Sequence, residues 1–280
     1  MPKKISRYRR RFGQVFLRDP LVVEQIVQSA RLDAHETILE IGPGRGALTF
    51  ALAKYAMTLY AIEIEAHYVQ ELHQRFATVS HVHIIEADAS TYDYAQLPAP
   101  LVVMANLPYS TGVHILRHLF TFRQRLSRLI VMLQKEVAAR LLAPPGSSAY
   151  GGLSVFFQYY AAMRPCFDVS SHAFTPRPAV DSTVLILEPF TPLPWPSRDE
   201  AFLFWLVKCA FAHRRKTLRK NLSAVPHLQA HRAATAEILA TLHLDGNTRA
   251  QELHVSQFVQ LAESLGRLLP HQQAPRRVEP

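Results

Sequence analysis

Asn106-Leu107-Pro108-Tyr109 sets a carboxamide, a rigid turn residue and an aromatic ring side by side at the end of the apolar run Leu101-Val102-Val103-Met104-Ala105, which reads as a short strand. These are the parts needed to work on the amino group of a nucleobase. The exocyclic amine of adenine is a poor nucleophile because its lone pair is conjugated into the ring, and it improves when acceptors hold both N–H groups while the lone pair faces an electrophile. Asn106 Oδ1 and the Pro108 carbonyl are the expected acceptors, with the fixed φ of proline aiming the carbonyl. Tyr109 is the face on which an extruded base stacks. Read alone, the tetrapeptide is equally a proline turn with an asparagine at a strand end.

A second constellation supplies the electrophile's site. Thr37-Ile38-Leu39-Glu40-Ile41 reads as a buried strand, Gly42-Pro43-Gly44-Arg45-Gly46 as a glycine turn, and Ala47-Leu48-Thr49-Phe50-Ala51-Leu52-Ala53 as the helix that follows, the order of a nucleotide-binding βα unit. A further strand, Thr58-Leu59-Tyr60-Ala61-Ile62, ends at Glu63, about 20 residues beyond the glycines, where an acid binds the hydroxyls of a ribose. The glycines run G-x-G-x-G rather than the G-x-G-x-x-G of dinucleotide sites. Glu40 precedes the loop, where a carboxylate repels a pyrophosphate and suits a cationic ligand. Both features favour S-adenosylmethionine over NAD. Val82-His83-Ile84-Ile85 then leads to Asp88, placed to take the amino group of the cofactor's adenine. Each acid by itself is an ordinary solvated strand-end residue; three in this order are not.

The elements that must position these groups follow from the punctuation. Strands near 37–41, 58–62, 82–85, 101–105 and 129–133 alternate with helical segments, which predicts a mainly parallel sheet covered on both faces. Ser182-Thr183-Val184-Leu185-Ile186-Leu187-Glu188 is expected to add a late edge strand. Pro189, Pro192, Pro194 and Pro196 read as a stiff linker. Residues 199–266 have helical periodicity and no strand pattern. The expected division is therefore 1–189 for a catalytic domain with a basic N-terminal arm and 190–280 for a small helical RNA-docking domain, with a disordered tail from about residue 270.

Composition points to a polyanionic partner. A formal charge of +9 and a pI of about 9.8 accompany two concentrated runs. Lys3, Lys4, Arg7, Arg9, Arg10 and Arg11 crowd the N-terminus; Lys208, Arg214, Arg215, Lys216, Arg219 and Lys220 form a second run with no acid inside it, read as a basic helix. Such runs are often only a solvated surface, but two of them beside a base-binding motif suggest phosphate contact. Cys166 and Cys209 make no disulfide framework and read as core residues of a reducing compartment. The fourteen histidines have no ligand spacing, so no metal is expected. There is no secretory h-region and no run long enough to span a membrane, which suggests a cytoplasmic bacterial protein.

With these motifs in place, the chain resembles the ribosomal RNA adenine N6-dimethyltransferases, and among them the small-subunit (KsgA-type) enzymes. Gln14-Val15-Phe16-Leu17, the loop from Ile38 to Gly46, Asn106 to Tyr109, Gln134-Lys135-Glu136-Val137-Ala138-Ala139-Arg140, Tyr150-Gly151-Gly152-Leu153-Ser154, Phe174-Thr175-Pro176-Arg177-Pro178-Ala179-Val180-Asp181-Ser182 and Phe211 to Leu222 follow the family's order over nearly the whole chain. The resemblance implies a Rossmann-like S-adenosylmethionine-dependent methyltransferase domain with a small C-terminal helical domain. It implies a cofactor set of Val15, Leu17, Glu40, Gly42, Gly44, Glu63, Asp88 and Asn106, and a catalytic set of Asn106, Leu107, Pro108 and Tyr109 with Phe174 opposite Tyr109. The implied substrate is a pair of adjacent adenosines in the 3′-terminal hairpin loop of 16S rRNA, within the small subunit or its precursor, and the enzyme reads as a monomer. Three departures stand out. Val15 replaces Asn or His, Ala87-Asp88-Ala89-Ser90 replaces Gly-Asp-Ala-Leu away from the chemistry, and Ser110-Thr111-Gly112 replaces Asn-Ile-Ser or Asn-Ile-Thr.

Rival readings are separable by their residues. A dinucleotide oxidoreductase explains Glu63 but leaves Asn106 to Tyr109 idle, and a non-catalytic ribosome assembly or transcription factor has no use for an intact Asn106 and Tyr109. A large-subunit (Erm-type) adenine methyltransferase shares the site, and Phe211 to Leu222 favours the small-subunit type.

Overall fold

A computed structural model describes residues 15–268. Gln14, the cations from Lys3 to Arg11 and the tail expected from about residue 270 lie outside the described residues. By contacts the chain divides into two compact units, one holding the residues up to Ala138 with Ala162–Thr191, the other holding Ala139–Ala161 with the residues from Pro192 onward. The second unit therefore takes a segment from inside the sequence of the first, which a single boundary after residue 189 does not provide for.

Among the described residues the strands are β1 (Phe16–Leu17), β2 (Thr37–Ile41), β3 (Thr58–Glu63), β4 (Val82–Glu86), β5 (Leu101–Asn106), β6 (Leu126–Gln134), β7 (Ala161–Val169), β8 (Phe174–Thr175) and β9 (Ser182–Pro189). Seven of them form one sheet in the order β4-β3-β2-β5-β6-β9-β7, while β1 and β8 pair antiparallel. From β4 to β6 every pairing is parallel, and β9 joins β6 antiparallel. The central strands are near-continuous apolar runs because helices cover both faces: Ile38, Leu39, Val103 and Met104 are each 0% exposed, and each such side chain contributes roughly 1.5–3 kcal/mol on burial.

The late strand is not at the edge. β7 occupies that position beyond β9, and the reason it escapes a pattern-based reading is visible in its residues. Ala161–Val169 carries Pro165 and lacks clean alternation, features tolerated where one side of a strand has no partner to supply with N–H groups.

Order along the sheet creates the site. The chain runs outward from β2 to β3 and β4, then returns to place β5 on the other flank of β2, so the crevice at the C-terminal ends of β2 and β5 is the topological switch point where open α/β sheets bind ligands. In-register pairing fixes what meets there. Ile41 lies opposite Ile62 on one side and Ala105 on the other, so the glycine turn after β2, Glu63 at the end of β3 and Asn106 at the end of β5 emerge together.

Two devices hold the helix that flanks the sheet, one at each of its ends. The helix Pro20–Ala30 starts with Pro at its first position and an Asp19 side chain accepting from the Leu21 N–H at 3.0 Å, a standard N-terminal cap. At its other end the Arg128 guanidinium of β6 donates to the Ala30 and Arg31 carbonyls and forks onto Glu36 at 2.6 and 2.7 Å. Bidentate geometry of this kind ties helix to sheet more firmly than a surface ion pair, and it holds the Glu36 carboxyl below its ordinary range.

From 192 onward the described residues of the second unit hold no strand, and their α-helices are Glu200–Ala210, Leu218–Ser223, Pro226–Gln229, Arg232–Thr241 and Val255–Gly266. The helix Gly152–Tyr160 packs with them, its Tyr160 hydroxyl donating to Glu200 at 2.6 Å.

Candidate active site at the sheet switch point

A cleft of about 1170 Å³, counted out to its mouth, opens at the C-terminal ends of β2, β3, β4 and β5. It gathers Val15, Leu17, Glu40, Gly42, Gly44, Glu63, Asp88, Asn106, Leu107 and Pro108, so every residue expected at the cofactor lines one cavity. Ile41, Ile62, Ile64 and Ile115 supply apolar walls. Tyr109 and Phe174 are not among the lining residues.

The turn is built by its glycines and one acid. Gly42, Gly44 and Gly46 have φ of 69°, 53° and 85°, a region that costs other residues about 1–2 kcal/mol. A Cβ on Gly44 would also approach the Phe16 ring to 3.1 Å, so β1 closes directly over this turn. Glu63 accepts from the Gly44 N–H at 2.9 Å through Oε2, and from the Ile64 and Glu65 N–H groups at 2.9 and 3.0 Å through Oε1. Burial raises the Glu63 carboxyl above its ordinary range and these backbone donors pull it back. A carboxylate offers about four acceptor positions, so Oε2 keeps one for a ligand.

Glu40 is the other buried acid. It is 2% exposed, its Oε2 meets no hydrogen-bond donor among the described residues, and burial pushes its carboxyl up to about 8, with the Glu63 charge adding to the shift. A buried carboxyl oxygen without a donor at the wall of a cavity is costly, and a positively charged ligand would relieve it. Asp88, at the end of β4, is exposed. Its Oδ1 takes the Ser90 N–H and hydroxyl at 2.8 and 2.7 Å, which fixes the carboxylate and leaves Oδ2 for a donor. The Ala87-to-Ser90 departure thus reaches the site, with Ser90 lining the cavity and orienting an acid where the family's residue is apolar.

At the end of β5 the Asn106 carboxamide makes no hydrogen bond to another described residue. The Pro108 carbonyl, expected as the second acceptor, already receives the Thr111 and Gly112 N–H groups at 3.3 and 2.8 Å as the helix Gly112–Thr121 begins. The Leu107 carbonyl accepts nothing among the described residues, while the Leu107 N–H donates to Met132 at 3.2 Å. The open acceptors are therefore Asn106 Oδ1 and Leu107 O. Helix initiation is what consumes the Pro108 carbonyl, and a motif does not reveal it. Tyr109 is half-buried and held by a 3.0 Å hydrogen bond between its hydroxyl and Ser182 Oγ. Phe174 departs from its expected role: 2% exposed, it packs in the core with Leu17 and Val169 and presents no free face opposite Tyr109.

Sequence reasoning missed Phe16 and Arg45. The Arg45 guanidinium lies 5.0 Å from the Phe16 ring centroid, and Phe16 meets Tyr68 edge-on at 5.5 Å; both Phe16 and Arg45 line the cleft. The signal was present in the quoted motifs as the residues between the ones singled out.

In the second unit the run from Arg214 to Lys220 is not one helix. Arg214, Arg215 and Lys216 lie in the turn before the helix Leu218–Ser223. Arg214 donates to the Tyr150 and Ser148 carbonyls at 2.7 Å each, so it braces the 148–150 segment instead of standing free for phosphate. Arg214→Ala is accordingly expected to destabilise this unit by about 1–2 kcal/mol and to leave the salt dependence of RNA binding unchanged. Urea denaturation and a salt series of binding curves check the two halves. Arg215, Lys216, Arg219 and Lys220 are exposed.

Among the described residues no cluster of His, Cys, Asp and Glu is arranged to hold a metal ion, and no helix is long and apolar enough to cross a membrane. Residues 5–266 match the family model described as ribosomal RNA adenine dimethylase. A ribosomal RNA small subunit methyltransferase A of Shewanella baltica is 38% identical over 257 residues, covering 91% of this chain and 93% of the relative. Its counterpart from Hahella chejuensis is 38% identical over 258 residues, with 91% and 92% covered. In structure, a dimethyladenosine transferase from Plasmodium falciparum aligns with a TM-score of 0.78 at 22% identity, over 90% of this chain and 98% of the other. The 23S rRNA methyltransferase ErmE aligns at 0.67 and 22%, over 90% and 99%.

Proposed function

This chain belongs to the ribosomal RNA adenine dimethylase family, and we propose that its targets are two adjacent adenosines in the 3′-terminal hairpin loop of 16S rRNA. It is a methyltransferase of small-subunit ribosomal RNA that uses S-adenosylmethionine to dimethylate the N6 amino groups of adenosine. We place its work in the cytoplasm, on the small subunit or its assembly precursor, as a monomer.

The cleft suits that cofactor on its own chemistry. Glu40 keeps one buried carboxyl oxygen without a donor for a cationic ligand, Glu63 Oε2 keeps an acceptor for a ribose hydroxyl, Asp88 Oδ2 is free for an adenine amine, and the segment into β1 brings Val15 and Leu17 to the rim. When bound, the cofactor supplies an activated methyl on a sulfonium.

The observation that carries the reading is the pair of open acceptors at the end of β5, Asn106 Oδ1 and Leu107 O. Together they hold both N–H groups of an adenine amine and turn its lone pair toward the cofactor cleft. As positive charge develops on the nitrogen, the same two dipoles stabilise it in a site with little water. No nucleophilic side chain is required, because the task is alignment. The surplus proton is strongly acidic and leaves to solvent. Tyr109 supplies the stacking face, worth roughly 1–3 kcal/mol against the few kcal/mol spent on extruding the base. Incubation of purified protein with labelled S-adenosylmethionine and undermethylated small subunits tests the proposal: label should appear as N6,N6-dimethyladenosine in 16S rRNA, and label in large-subunit RNA instead would favour the Erm-type reading.

Glu40 gives the binding step a pH signature. With its carboxyl at about 8 in the free protein, it is protonated at pH 7, and a cationic ligand favours the carboxylate. Cofactor binding at pH 7 is therefore expected to release a proton, and affinity should rise with pH until it levels above about 8. In the free protein the raised value has the opposite sense, since stability falls as pH rises from 4.5 to 8. Calorimetry in buffers of different ionisation enthalpy measures the proton, and Glu40→Gln should abolish its release.

A further inference from the structure

We propose that an open cleft in the helical unit, lined by Thr217, Arg219, Lys220, Ser223, Arg232 and Gly246, is a seat for one backbone phosphate of the substrate RNA. The proposal rests on the reading of the chain as an RNA enzyme and adds a second, sequence-independent contact outside the methyl-transfer site.

The cleft brings together cations that sequence alone keeps apart. Arg219 and Lys220 come from the helix Leu218–Ser223, and Arg232 is the first residue of the helix Arg232–Thr241. All three are exposed, and none has an acidic partner among the described residues. Asp245, beside Gly246, is tied into its own turn. Its Oδ1 accepts from the Asn247 and Thr248 N–H groups at 2.7 Å each and from the Thr248 hydroxyl at 3.0 Å.

Clustered like charges repel, so three cations around one hollow favour an anion there. The remaining lining says which kind. Thr217 and Ser223 add hydroxyl donors of the sort that contact phosphate oxygens. No aromatic or large apolar side chain lines the cleft, so a base has nothing to stack on, whereas the methyl-transfer cleft has apolar walls and Tyr109 nearby. The helix that carries Arg219 and Lys220 is anchored from beneath, because the buried Asn221 amide donates to the Ala210 and His213 carbonyls at 2.7 and 3.1 Å.

The test uses the full chain and small-subunit RNA. Filter binding over a potassium chloride series compares wild type, Arg232→Ala and, as an exposed lysine of the other unit, Lys54→Ala, with circular dichroism as a check on folding. Arg232→Ala is expected to weaken binding about tenfold and to lower the slope of log affinity against log salt by about 0.7–0.9, while Lys54→Ala changes neither. In amine-reactive footprinting, RNA should protect Lys220 and leave Lys54 labelled. Unchanged affinity and slope in Arg232→Ala overturns the proposal, as does Lys220 labelling that RNA does not reduce. Weaker binding at an unaltered slope also overturns it, since the cleft then acts through shape and not through phosphate. Failure of the parent reading looks different, because wild type would then transfer no methyl groups to small-subunit RNA whatever the salt slope shows.

Discussion

Asn106→Ala is expected to lower methyl transfer by about 10²–10³-fold at saturating RNA and cofactor, the scale on which one preorganised group aimed at developing charge acts. The carboxamide bonds to no other described residue and ends a strand whose neighbours are fully buried, so its removal leaves the fold intact and takes away one of two acceptors for the amine. Association with the small subunit should change little. Asn106→Asp keeps an acceptor at the same place and should retain more turnover than alanine. Single-turnover assays with enzyme in excess separate this from binding; a normal rate with Asn106→Ala would contradict the role given to its carboxamide.

Glu63→Ala should weaken cofactor binding by about 10²-fold while turnover at saturating cofactor falls far less. Two losses combine in that number. The ribose loses its acceptor, and the Gly44, Ile64 and Glu65 N–H groups lose theirs, which at the buried Gly44 donor costs about 1–3 kcal/mol and at the other two less. Glu63→Gln separates them poorly, because an amide brings an N–H group toward at least one backbone N–H. Titration calorimetry on folded protein decides the matter, and an unchanged cofactor affinity would remove Glu63 from ribose recognition.

Much of this was legible in the chain. The parallel strands carry near-continuous apolar runs, and the residues that end them could be named before their partners were known, because strand ends at a switch point are where a sheet of this kind works. Legibility stopped wherever an atom's partners decide its role. The Pro108 carbonyl is claimed by the first turn of the following helix, the Arg214 guanidinium by two carbonyls sixty-odd residues away in sequence, and the Phe174 ring by the core beneath β1. Sequence spacing shows which residues end a strand, not which of their hydrogen-bonding positions remain open. Arg232 was beyond reach for the same reason, since only the folding of two short helices puts it at one cleft with Lys220.

The central claim is that the open acceptors beside the cofactor cleft serve dimethylation of small-subunit RNA. Mass spectrometry of the 3′-terminal fragment of 16S rRNA tests it most directly, using a strain that lacks this gene and carries either wild type or Asn106→Ala on a plasmid. The account predicts that both dimethyladenosines are missing without the gene, return with wild type and stay missing with Asn106→Ala. Full dimethylation in the strain without the gene, or restoration by Asn106→Ala equal to wild type, would contradict it.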